Sequence, residues 1–220
     1  MRYPLVLLVL TALLGGIVPC QAQNLLPNPE FDQDVTGWPP PQYYTTALSW
    51  DPHHSAFGPG GSALLSLPYG ASLQTSACVP VTPGISYAWG GQFMFPVSVQ
   101  GQSFQLSLGW TSDTSCANPI GGLYLSAGDS PVGQWRTLSG QGTAPAGAKS
   151  ALFVVQLSAN LDSEAHAMNF DDVFLGPAGT VGPGQADEIP ALSPLGLVAL
   201  ALGLGLAALQ RLSRAWDEKV

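Results

Sequence analysis

The sequence predicts an all-β sandwich of two antiparallel sheets, and three observations carry that expectation. Glycine and proline supply 26 and 20 of the 220 residues, about a fifth of the chain where about an eighth is usual. Only 9% of the residues are charged, too few Lys, Glu and Arg to solvate the outer faces of a helical bundle. Several segments alternate apolar and polar side chains with the period of two that a half-buried strand requires. Hydrophobic residues make up 46% of the chain, enough for a core and against disorder. Fourteen acidic side chains against six basic ones give a net charge of -8. That balance excludes nucleic acid as a partner, because phosphate binding needs clustered Lys and Arg.

Both chain ends are set aside before the fold is argued. Arg2 followed by the apolar run Leu5 to Val18, then Cys20-Gln21-Ala22, reads as a signal peptide over residues 1–22 with cleavage after Ala22. A lipid anchor on Cys20 competes, but Pro19 stands where a lipobox takes Gly, Ala or Ser. The exported remainder, residues 23–188, holds 12 acidic side chains and two basic ones, Arg136 and Lys149.

Within residues 24–175 the strand candidates follow one another at intervals of about ten residues, punctuated by Pro and Gly, as in a β-sandwich. Ala63 to Leu67 and Ser72 to Cys78 are short candidates. Tyr87, Trp89, Gly91, Phe93 and Phe95 share one parity, with Gln92 opposite. Phe104, Leu106, Leu108 and Trp110 fall on one face, with Gln105 on the other. Gly122 to Ser126 and Gln134 to Ser139 come next, and then Ala151, Phe153, Val155 and Leu157 oppose Gln156. Asn169 to Leu175 is the last. Residues 176–188 have no periodicity and read as a Gly/Pro linker.

The C-terminal region, residues 189–220, contains 19 uncharged residues from Ala191 to Leu209, then Arg211 and Arg214. At 1.5 Å per residue the stretch is about 28 Å long, the thickness of a hydrocarbon core, and the basic flank places the C-terminus in the cytoplasm. Ile189-Pro190-Ala191-Leu192-Ser193, the apolar span and the Arg-containing tail together resemble an IPTL-CTERM sorting signal, within the PEP-CTERM-like class of Gram-negative bacteria. The chain departs from that pattern at Ala191, at Pro194-Leu195 and in its longer tail. The resemblance implies a transient inner-membrane anchor, recognition by an exosortase-type enzyme and delivery to the cell surface or exopolysaccharide matrix. A permanent single-span anchor is the alternative.

With Cys20 removed, Cys78 and Cys116 remain. In an oxidising compartment, with no base near either in sequence, they read as a disulfide rather than as nucleophiles.

The motifs then fall into a recognisable order. Asn24-Leu25-Leu26-Pro27-Asn28-Pro29-Glu30-Phe31-Asp32 and Thr36-Gly37-Trp38 open the domain. Cys78-Val79-Pro80-Val81-Thr82-Pro83-Gly84-Ile85-Ser86-Tyr87, Gln134-Trp135 and Ala144-Pro145-Ala146-Gly147-Ala148 follow, and Asn169-Phe170-Asp171-Asp172-Val173-Phe174-Leu175 closes it. This series resembles the galactose-binding-like jelly rolls that include carbohydrate-binding modules of families 4, 9 and 22. The resemblance implies a jelly-roll sandwich with adjacent N- and C-terminal strands, and glycan as the ligand. Phe31 and Trp38 are then core plugs on the first strand and the turn after it, with Tyr87 and Trp135 also in the core. It further implies a structural calcium. Carried over, the ligands are Asp32 and Asp171 with backbone carbonyls; Asp171 shares parity with Val173 and Leu175 and so points inward.

Catalysis has little to rest on. Two Glu and eight Asp lie in the domain, mostly in turn-like contexts, and no pair stands out for glycoside hydrolysis. His53-His54 lacks a third metal ligand nearby. Sugar binding needs flat aromatic faces and amides. Tyr43, Tyr44 and Trp50 offer the first; Gln92, Gln105 and Gln156 offer the second, provided that their strands are neighbours. The expected protein is a non-catalytic exported module that binds carbohydrate or exopolysaccharide. A surface or matrix scaffold without a glycan ligand is the alternative.

Overall fold

A computed structural model describes residues 24–41, 46–67, 72–97, 101–128, 132–159 and 165–180. These belong to one compact unit of the chain. The signal peptide, the sorting region and Tyr43 and Tyr44 fall outside the described residues. Among the described residues no helix is long and apolar enough to cross a membrane.

Nine strands are present among the described residues: β1 (Leu48–Asp51), β2 (Ser62–Leu67), β3 (Ser72–Pro80), β4 (Ser86–Met94), β5 (Gln102–Thr111), β6 (Pro119–Ala127), β7 (Arg136–Thr143), β8 (Ser150–Ala159) and β9 (His166–Pro177). They form a five-stranded sheet, β1-β2-β9-β4-β7, and a four-stranded sheet, β3-β8-β5-β6. Every pairing is antiparallel. The period-two alternation explains the layering. Phe104, Leu106, Leu108 and Trp110 of β5 and Ala151, Phe153, Val155 and Leu157 of β8 are all buried between the sheets. From the other layer Trp89, Phe93, Phe170, Val173 and Leu175 meet them. Phe93 stacks on Phe104 with ring centroids 4.3 Å apart, and Trp89 meets Phe153 edge-on at 6.4 Å.

The N-terminal segment differs from expectation. It lies beside β9 but forms no strand, so the first strand is Leu48–Asp51. Pro27 and Pro29 have no N–H to donate, and Asn28 and Phe31 adopt positive φ of 39° and 46°, which breaks a ladder. Contact with β9 is kept piecemeal. The Leu25 N–H donates to the Leu175 carbonyl at 2.8 Å, the Val173 N–H to that of Pro29 at 3.0 Å, and the Asn24 amide to that of Val173 at 2.8 Å. Phe31 and Trp38 are core plugs all the same, 5.1 Å and 5.9 Å from the Phe170 ring. The Trp38 indole donates to the Pro27 carbonyl at 2.8 Å. Gly37 makes this approach possible: its φ is +90°, and a Cβ there would stand 2.7 Å from Pro27 Cβ.

Two core expectations separate. Tyr87 is buried, its hydroxyl accepting the Thr82 N–H at 2.9 Å. Trp135 is only half-buried, because it precedes β7 in the turn rather than standing on a strand.

A disulfide joins Cys78 on β3 to Cys116 in the β5–β6 connection, with Cα atoms 6.0 Å apart. That connection is organised around Asp113. Its carboxylate accepts the N–H groups of Ser115 at 2.8 Å, Ala117 at 3.1 Å and Asn118 at 2.7 Å. The Ala117 and Ser115 donors hold its pKa well below the usual carboxylate range.

Candidate binding face

The outward face of the four-stranded sheet is built by the polar half of each alternating strand. Register sets the residues side by side. Gln74 on β3 pairs with Gln156 on β8, Gln156 pairs with Gln105 on β5, and Gln105 pairs with Ser126 on β6. One row over, Ser72, Ser158 and Ser103 stand in line; on the other side come Ser76, Val154, Ser107 and Tyr124. At about 4.8 Å between strands, the three glutamines span roughly 10 Å.

The Gln156 amide nitrogen donates to Ser72 Oγ at 2.7 Å and Ser158 Oγ at 2.8 Å, and the two hydroxyls lie 3.1 Å apart. One end of the Gln156 amide is thus engaged by the serines, and the other faces away from them. Tyr124, 72% exposed, rises from the edge strand beside Ser107 and offers a flat apolar ring. No Asp, Glu, Lys or Arg stands on the described strands of this face. The arrangement is a neutral surface of amides and hydroxyls around Val154, with one aromatic ring at its margin.

The predicted amide surface is thus assembled in part. Gln105 and Gln156 are neighbours as required. Gln92 is not among them: β4 belongs to the other sheet, where Gln92 is buried and donates to Thr137 Oγ1 at 2.7 Å. Polar parity alone could not reveal which sheet a strand would join. Trp50 is also elsewhere, on edge strand β1 of the five-stranded sheet, 37% exposed, with its indole donating to the Phe31 carbonyl at 2.7 Å. Sequence reasoning missed Gln74 and Tyr124. Both sit at outward positions of strands that it had found, and the signal was parity combined with pairing.

Asp32 and Asp171 come together at a different corner, under the segment after β1. Asp171 is buried, as expected, but not between the sheets. Two residues, Asp171 and Asp172, separate the core side chains Phe170 and Val173. Asp172 takes a φ of 46°, and the register with β4 shifts between Gly90 and Gln92. This bulge changes the parity, so Asp171 pairs with Gln92 on the outer side of the sheet. There its carboxylate accepts the N–H groups of Ala56 and Asp172, each at 2.8 Å. Burial pushes its pKa up to about 7; the two N–H donors oppose this, and the charges of Asp172 and Asp32 add to it. Asp32 lies against Gly60 of the same segment, its Oδ1 2.6 Å from where a Cβ would stand. Two repelling carboxylates are a donor set suited to a hard cation, with carbonyl oxygens needed to complete the shell. Among the described residues no group of three or more His, Cys, Asp or Glu has metal-binding geometry.

Nearby, Asp51 closes β1 and holds the chain reversal. It accepts the His53 N–H at 2.9 Å, pairs with His54 Nδ1 at 2.7 Å and receives the Asn169 amide at 2.9 Å. Burial raises its pKa, but the bonds from His53, His54 and Asn169 outweigh it and leave the carboxyl below its ordinary value.

No family profile matches the chain, and no curated protein matches it. Solved structures do. A family 61 carbohydrate-binding module in complex with β-1,4-galactotriose aligns over 70% of this chain and 99% of its own, with a TM-score of 0.53 and 14% identity. The fold is shared with carbohydrate-binding jelly rolls. A family 16 carbohydrate-binding module aligns over 70% of this chain and 99% of its own, with a TM-score of 0.52 and 19% identity. The family 22 module and catalytic module of a Clostridium thermocellum endo-1,4-β-D-xylanase, complexed with xylohexaose, matches 68% of this chain and 28% of its own length, with a TM-score of 0.51 and 15% identity. At these identities the likeness is one of fold.

Proposed function

We propose that this chain is a non-catalytic glycan-binding module whose ligand lies across the outward face of β3, β8, β5 and β6. The observation that carries the reading is the row Gln74, Gln156 and Gln105, set side by side by strand register and oriented at Gln156 by two serine hydroxyls. Amides in such a row exchange donors and acceptors with successive sugar hydroxyls, and Tyr124 supplies a stacking surface at the edge. The lack of charge on this face, in an exported portion with 12 acidic and two basic side chains, favours an uncharged glycan over an acidic one. The same lack supports binding over cleavage, because glycoside hydrolysis takes a pair of carboxylates across the ligand. That solved relatives of the same fold hold galactotriose or xylohexaose supports the choice of ligand class.

The module is exported, held briefly in the inner membrane by residues 191–209, processed by an exosortase-type enzyme and released to the cell surface or matrix of a Gram-negative bacterium. The Cys78–Cys116 disulfide supports export, since such bonds persist in oxidising compartments. Asp32 and Asp171 hold a structural calcium, which would neutralise their mutual repulsion and tie the segment after β1 to β9.

The test is a screen of the purified protein against immobilised neutral and acidic polysaccharides. Retention on a neutral glycan, weakened in Gln105→Ala and Gln156→Ala, is the expected result. No retention on any glycan would reject the reading.

A further inference from the structure

The outward face of the four-stranded sheet is walled at one end. Ser150 and Thr111 point outward, since their neighbours Ala151 and Trp110 are in the core, yet both are buried. What covers them is the β5–β6 connection, residues 112–118. Ser150 Oγ lies 2.6 Å from Thr111 Oγ1 and 3.3 Å from Cys116 Sγ, and it donates to the Asp113 carbonyl. The disulfide to Cys78, at an outward position of β3, ties the connection down over the intervening β8. Its one charge, the Asp113 carboxylate, is turned into the connection's own N–H groups.

Next to this wall the floor is bare. Register puts Leu152, Gly109 and Gly122 in one row, then Val154, Ser107 and Tyr124, then Gln156, Gln105 and Ser126. Gly122 is tightly placed, since a Cβ there would stand 3.1 Å from the Leu108 carbonyl. Gly109 is not: it has no positive φ, and a Cβ there would meet only Leu152, at 3.9 Å, an ordinary contact. Glycine weakens a strand, and where neither φ nor packing demands it, it leaves room for a ligand to approach the backbone. Tyr124 does not fill that room. Its side chain is 72% exposed, and none of its atoms comes within 4 Å of a Cβ placed at Gly109.

Building on the glycan reading of this face, we infer that the recess takes a chain end. The terminal pyranose of a neutral glycan sits on Gly109 and Gly122, between Tyr124 and the wall, and the following sugars pass over Ser107 to Gln105 and Gln156. Thr111 under the wall and Ser107 beside Tyr124 stand about 13 Å apart along β5, which leaves space for one ring between them. The Tyr124 phenol takes the apolar C–H side of that ring. A chain that runs along the strands in this way stops at the wall, so an internal stretch of polymer does not fit. Thr114 and Asn118 are exposed on the wall, neutral polar side chains suited to the additional hydroxyl that a chain end presents.

The experiment uses the full chain and the neutral polysaccharide retained in the screen, intact and after partial hydrolysis to shorter chains of the same composition. Titration calorimetry reads the number of sites per gram of glycan, which should rise in proportion to the chain ends created. Gly109→Val should weaken binding by roughly tenfold, because its side chain fills the floor, with no fall in melting temperature. Gly109→Ala, whose Cβ has room, takes its place if the valine variant does not fold. Unchanged capacity after hydrolysis, or parental affinity in the folded Gly109 variant, overturns the inference alone when Gln105→Ala and Gln156→Ala still weaken binding. Binding indifferent to those glutamines, or no retention on any glycan, overturns the glycan reading with it.

Discussion

Replacing both bridged cysteines, Cys78→Ala with Cys116→Ala, removes the one covalent link between β3 and the β5–β6 connection. The half-cystines are 38 positions apart, and a closed loop of about 39 residues corresponds in the chain-entropy model to about 4 kcal/mol at 25 °C. The structure says where the loss is felt. Cys116 sits at a φ of 58° within the turn whose N–H groups converge on Asp113, and Ser150 on β8 donates its hydroxyl to the Asp113 carbonyl. These hydrogen bonds persist without the bridge, so the turn keeps its shape while the unfolded chain gains freedom. A domain of this size shifts by roughly 2–4 °C for each kcal/mol, which puts the double variant roughly 8–16 °C below the parent. Calorimetry of the two proteins, with circular dichroism to verify an unchanged strand signal, measures it. A shift below about 2 °C would refute the entropic reasoning. Loss of the folded signal at 25 °C would show that the turn depends on the bridge.

Other outcomes follow from particular contacts. Gly37→Ala forces a side chain into a positive-φ site already filled by Pro27 and should cost about 2 kcal/mol, read from the denaturation midpoint. Asp171, raised from 3.8 to about 7, binds its proton more tightly when folded. The stabilisation from that proton is complete below about pH 4 and is lost as the pH rises through about 7. In the presence of chelator the melting temperature should therefore fall between pH 5 and pH 8, by the equivalent of at most about 3 kcal/mol. Asp171→Asn should remove that slope, and calcium should restore stability at pH 8 in the parent but not in the variant. A flat profile in the parent would contradict the environment described for this carboxyl.

Much of the sandwich was legible in the sequence because alternation is a local signal. The inward sets of β5 and β8 were readable residue by residue, and so was the disulfide once export was assumed. What alternation does not encode is which strand lies beside which. Gln92 has the same outward parity as Gln105 and Gln156, yet β4 pairs with β7 and β9, and the glutamine ends in another layer. Gln74 was missed for the complementary reason, since nothing in its own segment marks it as the neighbour of Gln156. Asp171 shows a second limit. Its parity with Val173 placed it inward, but a single bulge residue at Asp172 reverses the face while leaving the sequence pattern unchanged. Pro27 and Pro29 were in plain view, and they are why the opening segment packs Phe31 and Trp38 without becoming a strand.

The central claim is that the glutamine row holds the ligand, and titration calorimetry with the neutral glycan retained in the screen tests it most directly. Each amide truncation removes about 0.5–1.5 kcal/mol of hydrogen bonding, so Gln105→Ala with Gln156→Ala should weaken binding by roughly 5- to 150-fold. Trp50→Ala, on the far edge of the other sheet, should leave the affinity unchanged. Undiminished binding in the double glutamine variant, or a loss confined to Trp50→Ala, would place the ligand elsewhere and contradict the account.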